Sequence, residues 1–218
     1  MKILVFDTET TGLPSEKNAS IRDISKWPHI IQLSYVLYDT SNNKTMCCVD
    51  DIIKLDSNVE ISEKSIELHK ITRQLSNRKG IPIRVAIYKF NNVLQNCDWV
   101  VGHNLSFDKK MIMVESIRLN IQQYFTTASG KGVKEYCTMK NSVSVCKILK
   151  ISENGHKYFK YPTLSELHNN LFGSMPSNVH DSMVDVLITL RCYCKLVNNN
   201  DILENGCSIV KKIYKLYN

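Results

Sequence analysis

The first strand and the turn after it constrain this chain most: Lys2-Ile3-Leu4-Val5-Phe6-Asp7-Thr8-Glu9-Thr10-Thr11-Gly12. An apolar run brings the backbone out of a core and ends at two carboxylates two residues apart. In an extended segment side chains alternate faces, so Asp7 and Glu9 point the same way. Two carboxylates held that close repel each other. At neutral pH the pair is stable only with a proton or a cation between them. Oxygen-only ligation favours a hard ion such as Mg²⁺ or Mn²⁺. An isolated Asp-x-Glu is more often a polar strand end that caps the following loop, so the rest of the chain decides its meaning.

The chain has 218 residues, and its economical reading is a single α/β domain over 1–218. It holds no run of eighteen apolar residues, which argues against a membrane span. The N-terminal segment carries an aspartate and lacks a charged-then-apolar leader, so an intracellular protein is expected, in the cytoplasm or in a nucleus. The eight cysteines fit neither a disulfide framework nor a zinc site. Cys47-Cys48 are adjacent, and Cys192-x-Cys194 has no second ligand pair at zinc-like spacing. The net charge is +7, and between Asp108 and Lys160 ten Lys/Arg face four Asp/Glu. A carboxylate cluster in a chain that is basic elsewhere suits a polyanionic substrate gripped beside a metal site.

Pro14 to Trp27 reads as a loop. Ile30 to Asp39 alternates well enough for a strand, Asn42-Asn43 makes a turn, and Thr45 to Lys54 returns as a third strand. Three strands in sequence with short turns predict an antiparallel start to a mixed sheet. Ser62 is a plausible N-cap for a helix through His69, and Pro82 opens a helix to about Asn96. Trp99 to His103 is a short buried strand, followed by a helix from Leu105 to about Leu119 with Phe107, Met111, Val114 and Ile117 as its apolar side. The pattern dissolves from Asn120 to Lys134, a flexible loop and candidate lid. A strand over Tyr136 to Met139, a helix over Ser142 to Leu149 and a turn at Glu153 to His156 follow. Thr163 and Glu166 form a capping box for a helix that ends at Gly173. A long helix runs from about His180 to Val197, and Ile209, Val210, Ile213 and Leu216 mark a last amphipathic one.

Two more aspartates stand out by context. Asp108 lies at a helix start just after the fourth strand, and Asp185 lies in the last long helix beside Val186, Leu187 and Ile188. A buried carboxylate without a partner is costly, so Asp185 needs an arginine, a hydrogen-bond network or a metal. His180 and Asp185 are five residues apart, about 140° on a regular helix. They reach one site only if His180 sits at the frayed N-terminus. A histidine there can act as a base. Asp181 reads as a helix-start residue outside the site.

Asp7 to Gly12 (D-T-E-T-T-G), His103 to Asp108 (H-N-L-S-F-D) and His180 to Asp185 (H-D-S-M-V-D) resemble the three motifs of the DEDDh superfamily of 3′→5′ exonucleases. These are relatives of the proofreading subunit of bacterial DNA polymerase III. Trp27 to Leu33 resembles their second strand, and Glu67 to Thr72 their H-G-I-T segment. The resemblance covers nearly the whole chain. It implies a ribonuclease H-like fold: a mixed five-stranded sheet, its first three strands antiparallel, flanked by helices. It implies two ions, Mg²⁺ or Mn²⁺, the first held by Asp7, Glu9 and Asp185 and the second by Asp7 and Asp108. His180 would take a proton from the attacking water. The partners would be nucleic acid 3′ ends, DNA favoured over RNA, and the products nucleoside 5′-monophosphates. Thr8 would contact the 3′ hydroxyl, Leu13 would wedge against terminal bases, Phe107 would pack against a base, Asn104 would reach a phosphate, and His69 would lie at the pocket rim.

The chain departs from the family pattern in three places. Lys70 replaces the usual glycine of H-G-I, which alters that turn, and Ser182 stands where alanine is common. Gln122 to Lys134 looks like an insertion whose Lys131 and Lys134 could grip substrate. An RNA-trimming enzyme of the same superfamily and a non-catalytic nucleic-acid-binding module remain alternatives. The resemblance leaves a homodimer or association with a polymerase open.

Overall fold

The computed structural model describes residues 1–218 except 127–131, 178, 206–210, 213 and 216–218. Alternation along β1 (Lys2–Thr10) sets the layers. Ile3 and Val5 enter one core, Leu4 and Phe6 the other, and all four are buried. β2 (Ile30–Asp39) pairs antiparallel with β1, and β3 (Lys44–Lys54) antiparallel with β2. Then come α1 (Glu63–His69), α2 (Arg73–Lys79), β4 (Ile81–Pro82), α3 (Ile83–Leu94), β5 (Trp99–Gly102) and α4 (Leu105–Arg118). The second half holds β6 (Lys134–Cys137), α5 (Thr138–Asn141), α6 (Val143–Cys146), β7 (Leu149–Ile151), β8 (Lys157–Phe159), α7 (Leu164–Phe172), α8 (Ser182–Asn198) and α9 (Ile202–Asn205).

The main sheet has the order β4-β3-β2-β1-β5-β6, with β5 parallel to β1 and β6 parallel to β5. It has six strands where five are expected from the sequence. The sixth, β4, pairs parallel with the end of β3 through Ile53↔Ile81 and Lys54↔Pro82. On one face Phe6 packs edge-on against Phe90 of α3, ring centroids 5.0 Å apart, with Met111 and Val114 of α4 in the same core. On the other face Ile3, Val5, Val36 and Val101 meet Val184, Leu187 and Ile188 of α8. Each such side chain contributes about 1.5–3 kcal/mol of burial.

The expected caps are present. Ser62 accepts from the Ser65 N–H, Thr163 and Glu166 form the capping box, and Gly173 closes α7 at φ +72°. Other boundaries move. The helix expected over 142–149 is the short α6, stopped by Lys147 in left-handed conformation, after which Leu149–Ile151 is a strand. β6 begins two residues before the expected strand. On α4, Ile117 is exposed, and Glu115 takes a buried place by accepting from the Ile30 N–H and Arg118. In the expected loop, Phe125 is fully buried and Thr126 bridges Gly132. Its centre with Lys131, and Ile209, Val210, Ile213 and Leu216, lie outside the described residues. Among the described residues the cysteines are free, and no helix is long and apolar enough to cross a membrane.

Candidate active site

The alternation that builds the core also sorts the carboxylates. Asp7 and Glu9 continue the Ile3 and Val5 face, toward α8, whereas Thr8 continues the other. One carboxylate oxygen each from Asp7, Glu9 and Asp185 lie within 4.8 Å of one another. The α8 helix starts at Ser182, with Asp181 as N-cap accepting from the Met183 and Val184 N–H groups, as expected for a residue outside the site. His180 precedes the helix at φ +72°. That left-handed turn brings His180 to Asp185, whose Oδ2 accepts from the His180 N–H at 3.4 Å. Among the described residues the buried Asp185 Oδ1 has no hydrogen-bond partner.

Asp108, in the first turn of α4, is buried, and its Oδ1 accepts from the Thr8 N–H at 3.1 Å and the Thr8 hydroxyl at 2.8 Å. Burial pushes all four carboxyls above the ordinary carboxylate range. For Glu9 the charges of Asp7, Asp185 and Asp108 add to it, and for Asp108 and Asp185 the charge of Asp7 does. Asp7 is raised by burial, with the charge of Asp181 adding to it.

A polar network fixes the cluster from behind. The Ser182 hydroxyl donates to the Asp7 carbonyl at 2.8 Å, and the Ser182 N–H donates to Gln32 Oε1 at 3.3 Å. Gln32 and Ser34, the β2 partners of Glu9 and Asp7, both donate to Asp50 Oδ1 on β3, at 2.8 and 2.7 Å. The serine that replaces the common alanine thus ties the α8 N-terminus to β1.

The four carboxylates open into a cleft of about 530 Å³, lined also by Thr8, Leu13, Asn104, Phe107 and His180. Leu13 projects into it, 82% exposed. Asn104 caps α4 in left-handed conformation with its side chain free of the helix. His69 lines an adjoining cleft that shares Thr8, Glu9, Leu13 and Phe107. Its Nδ1 accepts from the Ile71 N–H, and burial lowers its pKa, holding the ring neutral. The Thr8 N–H and hydroxyl both donate to Asp108 Oδ1, so Thr8 also holds a carboxylate in place.

A family model described as an exonuclease (RNase_T) matches residues 4–193. The chain belongs to this exonuclease family, of the DEDD 3′–5′ type. Among solved structures, E. coli exonuclease I in complex with a 5cy-dT13 oligonucleotide is similar over 99% of this chain and 42% of that one, at 15% identity and a TM-score of 0.65. Exonuclease X in complex with 5′ overhanging duplex DNA is similar over 91% of this chain and 92% of that one, at 20% identity and a TM-score of 0.57. At these identities the likeness is one of fold, the ribonuclease H-like exonuclease fold. The chain spans about two fifths of the length of the exonuclease I chain. A search of curated sequences found no match.

The donor set of this exonuclease fits a hard divalent cation. Three oxygen ligands converge, the charges that act on them are all those of carboxylates, and among the described residues Asp185 Oδ1 is an orphaned buried acceptor. Several cleft residues escape sequence reasoning. His103, at the head of the second motif, is held neutral with its pKa lowered to about 4 by burial. Its Nε2 donates to the Pro162 carbonyl at 3.1 Å, and its Nδ1 lies 3.0 Å from the Thr138 hydroxyl. It clamps the strand end to the segment Tyr161-Pro162-Thr163, which forms the far wall. The proline beside the Thr163 capping box is the one sequence signal for that wall.

Proposed function

We propose that this exonuclease removes nucleotides from the 3′ end of DNA by metal-assisted hydrolysis. The observation that carries the reading is the convergence of Asp7, Glu9 and Asp185 within 4.8 Å, at the end of a buried strand, in the cleft shared with His180. Asp7, Glu9 and Asp185 would hold one divalent cation, and Asp7 with Asp108 would hold a second. Bound there, such ions would supply Lewis-acid stabilisation of the charge that develops on the reacting oxygens. The chain's own residues do the rest. Thr8 fixes Asp108, and Ser182 fixes β1 at Asp7. His180, exposed at the mouth and tied through its backbone to Asp185, accepts a proton from the attacking water. Leu13 and Phe107 flank the terminal bases, and Asn104 donates to a phosphate.

DNA is favoured because exonuclease I and exonuclease X, the similar folds, are found with DNA. The test is a time course on 3′-labelled and 5′-labelled single-stranded DNA and RNA with Mg²⁺ or Mn²⁺. The expected result is a ladder shortening from the 3′ end, faster on DNA, and absent for Asp7→Ala. A faster RNA ladder would reassign the substrate. Cleavage of neither polymer with either metal would overturn the proposal.

A further inference from the structure

The hairpin of β7 and β8 is the part of this molecule that folding does not explain. All six of its strand residues are exposed. Leu149, Ile151, Tyr158 and Phe159 are 55%, 64%, 48% and 49% exposed, and Tyr161, just beyond, is 58% exposed. An isolated two-stranded hairpin is marginal in water, and exposed apolar side chains of this kind mark an interaction site. Leu149 pairs with Phe159 and Ile151 with Lys157 on one face, and Lys150 pairs with Tyr158 on the other, so apolar and lysine side chains stand side by side on both. The patch is also basic. Residues 138–161 carry five lysines and a single acid, Glu153. Among the described residues, Lys160 alone of the five has an acidic partner, Glu166 of α7. A groove lined by Lys140, Val143, Tyr158, Phe159, Lys160 and Tyr161 runs under the hairpin. Tyr161 lines the catalytic cleft as well, so groove and cleft meet at one side chain.

We propose that this hairpin and groove form a track for the single strand that leads into the catalytic cleft, with Tyr158, Phe159 and Tyr161 stacking on unpaired bases and the lysines facing phosphates. The inference rests on the exonuclease reading, and it names the substrate as a strand several nucleotides long and unpaired near its 3′ end. Exposed aromatics interleaved with lysines suit a single strand, whose bases offer free faces, whereas a duplex hides those faces. A protein-binding patch would be depleted in lysine.

The test reads binding without turnover. The full chain is titrated, without divalent metal, with fluorescent oligothymidylates of increasing length that end in a 3′ phosphorothioate linkage. For the wild type, affinity rises with length and then levels once the strand reaches the hairpin. In Tyr158→Ser/Phe159→Ser the ratio of long-strand to short-strand affinity falls at least tenfold, within the range of about 5- to 150-fold per base that stacking supports. Lys150→Ser/Lys157→Ser lowers the salt dependence of long-strand binding. Strands carrying 5-iododeoxyuridine several positions from the 3′ end cross-link to Tyr158, Phe159 or Tyr161. An unchanged length dependence in both variants, with cross-links elsewhere, overturns the track. So does a change of oligomeric state with oligonucleotide affinity intact, which would assign the patch to a second copy of the chain. Because binding is measured apart from cleavage, failure of hydrolysis and failure of the track are separate results.

Discussion

Lys70 shows what a single departure from a family pattern means physically. It closes α1 at φ 59°, the left-handed conformation that glycine adopts freely and other residues adopt at a cost of about 1–2 kcal/mol. The lysine therefore holds a strained turn, at a position where the family resemblance expects glycine. Lys70→Gly should raise stability by about 1 kcal/mol, read as a higher urea midpoint at unchanged slope. An unchanged or lower midpoint would place the strain elsewhere. His180 is the opposite case. Its spacing from Asp185 is legible in the sequence, and so is the need for a frayed helix start. The positive φ that meets the need is not legible, because nothing about a histidine signals it. Thr8 has a second role that is hidden in the same way: the family resemblance implies a substrate contact, and only the tertiary approach of α4 shows that its N–H and hydroxyl serve Asp108.

At the scale of elements, caps and alternation carry most of what could be read. β1 to β3, α7 with its capping box and the start of α4 follow from local chemistry. The misread elements depend on distant partners or on ambiguous runs. The apolar residues near Leu149 are too few to separate a helix from a strand by period. β4 exists only because two residues reach the end of β3, a pairing no local signal announces. Gly80 makes that approach possible. A Cβ there would lie 2.3 Å from the Ser76 carbonyl oxygen and 2.4 Å from the Lys54 nitrogen. The backbone at Gly80 has φ −70°, so the constraint is space and not conformation. Gly80→Ala should destabilise by about 1–3 kcal/mol, measured by denaturant unfolding, and a neutral result would show that the edge strand detaches without consequence.

For the whole molecule, the acidic cluster is a liability that a ligand removes. Burial raises Asp7 to about 7 and Asp185 to about 8, while an unfolded chain releases both protons near pH 4. The folded state therefore binds more protons than the unfolded one between those limits. The stability it gains at low pH is lost as the pH rises through 7 and 8. The metal-free melting temperature should fall from pH 5 to pH 8.5, and saturating Mg²⁺ or Mn²⁺ should flatten the fall by mass action. Asp7→Asn should raise the metal-free melting temperature at pH 8 and reduce the response to metal. Calorimetry with and without chelator checks both, and a metal-free melting temperature that rises across this range would refute the assignment of the cluster. His103 works with the opposite sign. Its pKa near 4 means that the unfolded chain alone takes up that proton between about pH 6.5 and 4, so its contribution is lost on acidification.

The sorting of side chains along β1 has one more consequence, for how this protein can change over evolutionary time. Ile3, Val5, Asp7 and Glu9 share a face, and Leu4, Phe6 and Thr8 share the opposite one, so the strand encodes core and chemistry in a single parity. Point substitutions alter one symbol of that message. Insertion or loss of one residue ahead of Asp7 inverts every later symbol, sending both acids toward α4 and Thr8 toward α8. Lineages of this enzyme can thus drift in composition along β1 but not in length, and libraries built to alter its specificity should hold the spacing from Lys2 to Thr10 constant.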